Sequence, residues 1–453
     1  MSSIQSQSTI CALATPAGVG GMAIIRVCGS NALPIVDMCF SGKHKLEHSA
    51  SHTIHFGKFV HNDTVLDTVT ASVFIAPHSY TGENTVEIGC HGGMVVQQQI
   101  VEALLDCGAR HAEPGEFTKL AFLNGKLDLT QVESVADIIH ATSTLGSQAS
   151  VRQLTGGFTQ KLQELRAQLL DICALLEIEL DFAHEDIEFV DRTVVTNKIH
   201  DAISYCSHLL ESHKGSEILR SGLYVGLIGY PNSGKSSLFN ALLQRKRAIV
   251  SNVAGTTRDY IEEHLTISNI AVRLFDTAGI RDTDDVIELE GIEFSKSIIE
   301  QCHVLLIIND VTRGKNHSQP LVEYITTNYP HIIVTLLQNK ADLLNTLPHP
   351  TDTIYTSATT GMGIESVRDF IKQTAQSQVD VTSSVLINAR HVGLLQHIVE
   401  SLHGALTALE LQHSNEFVAL DIRQSIELIG NITGNTSNED VINEIFSRFC
   451  IGK

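Results

Sequence analysis

The run Gly229-Tyr-Pro-Asn-Ser-Gly-Lys-Ser236 constrains the fold more than any other feature of this sequence. It fits the phosphate-binding loop pattern Gly-x4-Gly-Lys-Ser/Thr. A strand-length apolar run, 223–228, precedes it, and residues 237–243 follow with helical spacing. This order predicts a nucleotide-binding α/β core, because the N–H groups of the loop and the N-terminus of the helix face the same anion. Lys235 is predicted to reach the outer phosphates, and Ser236 to bind Mg²⁺.

Two further motifs of a phosphate-hydrolysing core follow in order. Within Gly255-Thr-Thr-Arg-Asp259, Thr257 is predicted to be the second protein ligand of Mg²⁺, on a loop that senses the γ-phosphate. Residues 274–279 read as a strand that ends in Asp-x-x-Gly. In that motif Asp276 is predicted to support the Mg²⁺ shell, and the N–H of Gly279 to contact the γ-phosphate.

The base-recognition motif comes next. Apolar strands at 304–308 and 332–337 lead to Asn339-Lys-Ala-Asp342. The Asp342 carboxylate can accept both the N1–H and the exocyclic N–H2 of guanine, whereas adenine presents no such pair of donors. Such a site leaves buried oxygens unpaired with ATP, so the motif predicts GTP. Ser357-Ala358-Thr359 fits the loop that donates to the guanine carbonyl.

Composition bounds the class of protein and its partners. The chain has 453 residues, 43% of them hydrophobic, and no apolar run near the roughly 18–20 residues of a membrane span, so we expect a soluble protein of about two to four domains. No basic residue precedes Arg26, so no signal peptide is readable and a cytoplasmic location is expected. The net charge of −20 excludes a broad electrostatic surface for nucleic acid, so any RNA contact needs a partner or a local patch.

The cysteines indicate a reducing compartment. They number nine, which is odd, and no two of them form a Cys-x-x-Cys pair. This pattern favours reduced thiols over a disulfide framework or a zinc site.

The chain changes character along its length. Short strand-like runs at 22–27, 69–75 and 86–90, with a helix near 95–105, predict an N-terminal α+β domain. From about residue 125 helical stripes take over, at 162–180 and 199–210, and a matching stripe returns at 392–409. Insertion of the nucleotide module into one helical domain explains this most simply, and two separate small bundles are the alternative. The predicted domains are 1–123, 124–221 with 378–453 as the two helical parts, and 222–377 as the P-loop GTPase domain.

Stretches outside these motifs show a family resemblance. Over essentially its whole length the chain resembles the MnmE (TrmE) family of tRNA-modification GTPases. The residues that carry the resemblance are Ala14–Gly21 with Ile25 and Arg26, Ser79–Glu83, Pro114–Phe117, Ala121–Leu129 and Cys450–Lys453.

The resemblance implies a three-part protein. Its N-terminal α+β domain dimerises and binds 5-formyl-tetrahydrofolate or a related tetrahydrofolate, and its α-helical domain is interrupted by an α/β P-loop GTPase domain. Its partner is a flavin- and NADH-dependent protein, MnmG (GidA), in a heterotetramer or larger complex through which tRNA binds. Together they add a carboxymethylaminomethyl or aminomethyl group to the wobble uridine of certain tRNAs.

The resemblance also assigns site residues. Arg26, Glu83, Lys126 and Lys453 match the family's folate contacts; without it they read as ordinary surface charges. Where many small GTPases have a water-orienting Gln, this chain has Ile280, so its catalytic machinery must differ. The family's potassium site matches Asn232, Ser251, Val253 and Thr256, with Ser251 where Thr is common. The catalytic residues are then Lys235 and the water-orienting Glu288, for which a solvated acid is the alternative interpretation.

The motifs and the resemblance together assign a set of positions to GTP. They are Asn232, Ser233, Gly234, Lys235, Ser236, Ser237, Ser251, Asn252, Val253, Ala254, Gly255, Thr256, Thr257, Asp276, Thr277, Ala278, Gly279, Asn339, Lys340, Ala341, Asp342, Ser357, Ala358 and Thr359. A regulatory GTPase of ribosome assembly or signalling would share the nucleotide motifs but would need no folate site. Co-purification of a flavoprotein, or loss of the tRNA modification in a deletion strain, discriminates the two.

Overall fold

The structure is a computed structural model that describes residues 8–181, 192–243, 261–276, 298–314, 316–344, 353–379, 385–436, 439–447, 449 and 451–453. The chain divides into two compact units. The first unit comprises Met1–Ala136, Thr159–Ala167 and Ile426–Lys453, and the second comprises Asp137–Phe158 and Gln168–Ser425. The domain boundaries that the sequence suggests stay a prediction.

The first unit contains a seven-stranded sheet within its described residues. Its strands are β1 (Ile10–Leu13), β2 (Met22–Cys28), β3 (Phe40–Gly42), β4 (Thr53–His61), β5 (Thr64–Phe74), β6 (Thr85–His91) and β7 (Arg110–His111). The spatial order is β3-β4-β5-β6-β2-β1-β7, and every pair is antiparallel except β1 with β7. The strands and the helix that the sequence predicts here are confirmed, and β5 begins earlier than predicted.

Two helices cover one face of this sheet. They are α1 (Ala32–Cys39) and α2 (Met94–Asp106). Ala23, Ile25 and Val27 alternate along β2, so their side chains share a face, and they pack in one buried cluster with side chains of both helices. This arrangement is the predicted α+β module.

The C-terminal segment packs within the same unit. Its helix α14 (Glu439–Ser447) lies in the same unit as α3 (Glu116–Leu123) and the start of α4 (Leu129–His140). Val132, Phe446 and Phe449 form a buried cluster. A Cβ added at Gly115 would lie 2.7 Å from the Phe446 carbonyl oxygen, so only glycine permits this approach.

The second unit contains a six-stranded sheet within its described residues. Its strands are β8 (Leu223–Ile228), β9 (Ile261–Ile267), β10 (Ile270–Asp276), β11 (Val304–Asp310), β12 (Ile333–Asn339) and β13 (Ile354–Tyr355). The order is β13-β12-β11-β8-β10-β9, parallel throughout except for β9. This is the predicted α/β core.

Helices cover both faces of that sheet. On one face lie α9 (Lys235–Leu243) and α11 (Ile364–Gln378), and on the other α10 (Gln319–Asn328). Along β11 the even-numbered Leu306 belongs to the first cluster and the odd-numbered Ile307 to the second. Burial on both faces explains why this strand reads as a continuous apolar run.

Long helices complete the second unit. They are α5 (Thr144–Leu154), α7 (Arg192–Glu211), α8 (His213–Ser221) and α12 (Ala389–Glu410). Two more helices, α6 (Gly157–Asp181) and α13 (Asn415–Thr433), belong to it only in part, because Thr159–Ala167 and the residues from Ile426 onward are assigned to the first unit. The stripes predicted on α7 and α12 are buried at Ile199, Cys206, Leu395 and Leu402, and the two helices pack against each other. Length and hydropathy together exclude a membrane span for every helix in the described parts of the chain.

Candidate functional site

The phosphate-binding loop joins β8 to α9, as predicted. Asn232 and Gly234 both have positive φ, 64° and 92°, and turn the backbone into the first turn of α9. A Cβ at Gly229 would lie 2.5 Å from the Ile308 carbonyl oxygen, and one at Gly234 would lie 2.3 Å from Asn339 Nδ2. Close packing therefore requires glycine at both positions, and the backbone angle requires it also at Gly234.

The side chains of this loop fit a polyphosphate. Lys235 Nζ donates to the carbonyl oxygens of Gly229 at 2.9 Å and Tyr230 at 3.2 Å, so the ammonium group lies across the loop. Ser233 Oγ is buried and has no hydrogen-bond partner among the described residues. Ser236 and Ser237 are exposed at the start of α9, where the helix N-terminus favours an anion.

The carboxyl ends of the parallel strands bring the other motifs to this loop. Asp276 is the last residue of β10 and pairs in register with Leu227 of β8. Its side chain is 2% exposed. Asp310 ends β11 and pairs in register with Asn339, which ends β12. The predicted Mg²⁺-shell and base-recognition residues thus lie along one edge of the sheet.

Asn339 connects the base-recognition segment to the phosphate loop. Its Nδ2 donates to the Ser233 carbonyl oxygen at 2.8 Å, and its Oδ1 accepts from Thr356 Oγ1 at 3.2 Å. The side chain is 2% exposed. Asn339 therefore fixes the loop to the end of β12, a role that the motif alone does not reveal.

Lys340, the next residue of the motif, forms an ion pair with Asp310 at the end of β11. Its φ is 62°, in the left-handed region, and its Nζ lies 2.6 Å from Asp310 Oδ2. Burial alone would raise the pKa of Asp310, but hydrogen bonds from Lys340 and Thr312 outweigh it and hold that pKa below its usual range. The sequence reasoning missed Asp310; an acid that ends a buried strand was the available signal.

The loop after β13 lies beside the same motif. Ala341 N–H donates to the Thr356 carbonyl oxygen at 3.0 Å, so the two segments are joined by backbone. Ser357 is buried, and its Oγ accepts from the Thr360 N–H at 3.3 Å. Asp342 is exposed next to Ala341. The residues predicted to contact guanine, including Ala358 and Thr359, thus lie on two segments that are joined by a backbone hydrogen bond.

Several predicted site residues lie outside the described residues. They are Ser251, Asn252, Val253, Ala254, Gly255, Thr256, Thr257, Thr277, Ala278, Gly279, Ile280, Glu288 and Cys450. Of the predicted potassium ligands only Asn232 is described, and its side chain is exposed.

A second cluster of predicted residues lies in the first unit around Arg26 on β2. The guanidinium carbon lies 5.5 Å from the ring centre of Tyr80 and 5.4 Å from that of Phe117. Arg26 Nε donates to Glu87 Oε1 at 2.9 Å, and Nη1 donates to the Gly452 carbonyl oxygen at 3.4 Å. Arg26 therefore joins the sheet to the last residues of the chain.

The C-terminus is also held by backbone contacts. Phe117 N–H donates to the Lys453 carbonyl oxygen at 3.2 Å. Gly452 has φ 96°, and a Cβ there would lie 2.1 Å from the Leu13 carbonyl oxygen. The structure thus places Gly452 against β1 and the Lys453 carbonyl against the start of α3. The assignment of Lys453 to a folate contact stays a prediction.

Glu83 and Lys126 occupy neighbouring turns of the first unit. Glu83 is half-buried, and its N–H donates to Thr81 Oγ1 at 3.2 Å. Burial raises the pKa of Glu83, although a hydrogen bond from Asn124 partly offsets it. Lys126 is exposed, two residues beyond Asn124, whose Nδ2 donates to the Thr81 carbonyl oxygen at 2.8 Å. Asn124 thus joins the turn that carries Glu83 to the turn that carries Lys126. A half-buried carboxylate and an exposed cation on joined turns suit a ligand with both hydrogen-bonding and charged ends.

Comparison with known proteins covers nearly the whole chain. Residues 9–126 match the family model described as the GTP-binding protein TrmE N-terminus, and residues 129–450 match the MnmE helical domain. The tRNA modification GTPase MnmE of Salinibacter ruber is 40% identical over 461 residues, which cover 99% of this chain and 100% of that protein.

Other relatives are similar to the same extent. The tRNA modification GTPase MnmE of Christiangramia forsetii is 38% identical, covering 98% of this chain and 99% of that protein. That of Streptococcus thermophilus is 39% identical, covering 100% of each.

Proposed function

This chain belongs to the MnmE family of tRNA modification GTPases, and from that premise we propose that it works on the wobble uridine of certain tRNAs. There it adds a carboxymethylaminomethyl or aminomethyl group whose one-carbon unit comes from a tetrahydrofolate. The observation that carries this proposal is the meeting of Arg26, Tyr80, Phe117 and the C-terminal Gly452 in the first unit. A regulatory GTPase without folate chemistry would need no such site.

The nucleotide site supplies the GTPase half of the activity. Amides of the phosphate loop and the Lys235 ammonium bind and neutralise the phosphates, and Asp342 accepts from the guanine edge. We assign orientation of the attacking water to Glu288, since Ile280 cannot do so. The water oxygen bonds to the γ-phosphorus as the bond to the β–γ bridging oxygen breaks, and GDP leaves with that electron pair.

Two cations, Mg²⁺ and K⁺, would complete the nucleotide site. Ser236 and Thr257 would hold Mg²⁺, which supplies positive charge at the β- and γ-phosphate oxygens. Asn232, Ser251, Val253 and Thr256 would hold K⁺, which supplies the charge that an arginine supplies in other GTPases. The exposed Asn232 side chain beside the loop is compatible with that role.

The first unit supplies the folate site. Glu83 suits the hydrogen-bonding edge of a pterin ring, because a carboxylate can accept two parallel N–H donors. Lys126 and Lys453 suit the carboxylates of the glutamate tail. Arg26 holds Gly452 and so positions Lys453. The bound folate would supply the one-carbon unit.

Partners follow from charge and from the family. A chain of net charge −20 needs a partner or a local patch to hold tRNA, and a flavin-dependent protein of the MnmG (GidA) kind would be such a partner in a heterotetramer or larger complex. We propose that the chain itself is a homodimer and acts in the cytoplasm. Size-exclusion chromatography with and without the flavoprotein tests both associations.

Titration with 5-formyl-tetrahydrofolate tests the folate proposal. Lys453→Ala should weaken binding about 10- to 100-fold, because hydrogen bonds to charged groups contribute about 1.5–3 kcal/mol and each 1.4 kcal/mol is tenfold. Deletion of Gly452 and Lys453 should abolish binding. Lys43→Ala, which removes an exposed lysine of the same unit, is the matched control.

GDP affinity should be unchanged in all three variants, since the nucleotide site lies in the second unit. Unchanged folate affinity in the deletion variant would refute the assignment of the C-terminus to the site. Loss of folate binding in the Lys43→Ala control would show that the effect is not local.

A further inference from the structure

Three chain elements of the first unit end at one point that neither the nucleotide site nor the folate site uses. Cys39 is the last residue of α1, Cys107 follows the last residue of α2, and His61 is the last residue of β4. Their possible ligand atoms all lie within 4.8 Å of one another. Within the described ranges this is the one group of three or more Cys, His, Asp or Glu residues so placed. We propose that Cys39, His61 and Cys107 bind a Zn²⁺ ion.

The donor set selects the metal. Cysteine sulfur and imidazole nitrogen are the ligands that Zn²⁺ takes in proteins, whereas Mg²⁺, Ca²⁺ and K⁺ prefer oxygen. The His61 ring is held by Asp106, whose Oδ2 lies 3.0 Å from Nε2. A carboxylate in this position fixes the ring and raises the basicity of the other nitrogen. A water molecule would complete the tetrahedron.

The sulfur separation favours a metal over a disulfide. Cys39 Sγ lies 3.2 Å from Cys107 Sγ. Tetrahedral zinc with Zn–S near 2.3 Å needs the sulfurs about 3.8 Å apart, so they would separate by about 0.6 Å. A disulfide needs about 2.04 Å, so they would approach by about 1.2 Å. The metal requires the smaller displacement.

The local electrostatics also favour a cation. The carboxyl ends of α1 and α2 converge here, and each carries the negative end of a helix dipole. A cation is stabilised there, whereas a free thiolate is stabilised at helix N-termini. The ion would join the ends of α1, α2 and β4, so its effect is on the stability of the first unit. The cysteine pattern of the sequence favoured reduced thiols over a zinc site, because these ligands are far apart in the chain and form no Cys-x-x-Cys pair.

Cobalt binding to the untagged full-length protein tests the proposal. The protein is reduced, freed of metal and titrated with Co²⁺ without nucleotide, and absorption by cobalt–thiolate charge transfer is recorded. Hydroxyl ligands of the phosphate loop give no such band, so the assay separates the two metal sites. We expect one Co²⁺ per chain, displaced by one Zn²⁺, with release of the two thiol protons to the buffer. Zinc should also raise the thermal unfolding temperature.

Variants locate the ion. Cys107→Ser and His61→Asn should abolish or greatly weaken the band, and Asp106→Asn should lower the affinity by about 10–100-fold. Cys90→Ser and His55→Asn are matched controls, since they change a buried thiol and a β4 histidine outside the cluster. Both controls should bind like the wild type.

Two results would overturn the proposal. One is a reduced wild-type protein that shows no thiolate band, whether or not its two thiols form a disulfide on oxidation. The other is a band that persists in Cys107→Ser or His61→Asn, because the ion would then lie elsewhere.

Discussion

Asn339→Ala tests whether the base-recognition segment holds the phosphate loop in its binding conformation. The substitution removes the hydrogen bond to the Ser233 carbonyl oxygen at 2.8 Å and the one from Thr356 Oγ1 at 3.2 Å. Because the Asn339 side chain is only 2% exposed, bulk water cannot replace these two hydrogen bonds when the side chain is removed. The loop is then free to leave the conformation that its two glycines allow.

The expected effect follows from the cost of an unsatisfied buried group, which is about 1–3 kcal/mol. Taking about 2 kcal/mol for the Ser233 carbonyl, and tenfold for each 1.4 kcal/mol, the affinity for nucleotide should fall about 25-fold. The lost stabilisation of the loop lowers the apparent affinity, because only molecules with an ordered loop can bind nucleotide. GDP is the appropriate ligand, since it is not hydrolysed during the titration.

Asn328→Ala is the matched control. Asn328 also donates from Nδ2 to a carbonyl oxygen, that of Tyr324 at 2.7 Å, but at an exposed position on α10. Its effect on GDP affinity should be less than about twofold, as for most surface substitutions. Calorimetric titration and thermal unfolding are measured on all three proteins. A folded Asn339→Ala protein that binds GDP like the wild type would refute the reasoning.

Three further predictions concern single side chains. Asp342→Asn should weaken GTP and favour xanthosine nucleotides, whose base has a carbonyl where guanine has an amine; equal GTP affinity in a direct titration would contradict this. Glu83→Gln should raise the thermal unfolding temperature at pH 7. Because the pKa of Glu83 is raised in the folded protein, the protonated side chain stabilises the fold fully below about pH 4.3, and this stabilisation is lost as the pH rises through the folded-state pKa. The unfolding temperatures of the wild type and Glu83→Gln should therefore converge in acid. A constant difference between them at all pH values would argue against this account. Single-turnover GTP hydrolysis should be fast in K⁺, slow in Na⁺ or in Asn232→Ala, and nearly absent in Glu288→Ala with binding retained; equal rates in both salts would exclude the cation mechanism.

Local patterns predicted the nucleotide core well. The strand 223–228 has the same bounds in the structure, because burial on both faces and the glycine loop after it are both visible in the sequence. The helix begins at Lys235, directly after the glycine loop, although its apolar spacing becomes visible only from residue 237 because its first turn is polar.

Such local patterns could not predict contacts between segments that are far apart in the chain. Asp310 and Thr356 reach the site only because parallel strands end at one edge of the sheet. The contact of Arg26 with Gly452 joins opposite ends of the chain, and the resemblance, not the spacing, placed Lys453 there. Cys39 and Cys107 meet only through the packing of two helices.

Isotope transfer from folate to tRNA tests the central claim most directly. The chain is combined with its flavoprotein partner, NADH, GTP, K⁺, Mg²⁺ and unmodified tRNA, and with a formyl-tetrahydrofolate whose one-carbon unit is ¹³C-labelled. Nucleosides from the digested tRNA are then examined by mass spectrometry. We expect a modified wobble uridine that is one mass unit heavier, and none of it when a non-hydrolysable GTP analogue replaces GTP. A modified uridine without the label, or label incorporation that does not need GTP hydrolysis, would contradict the account.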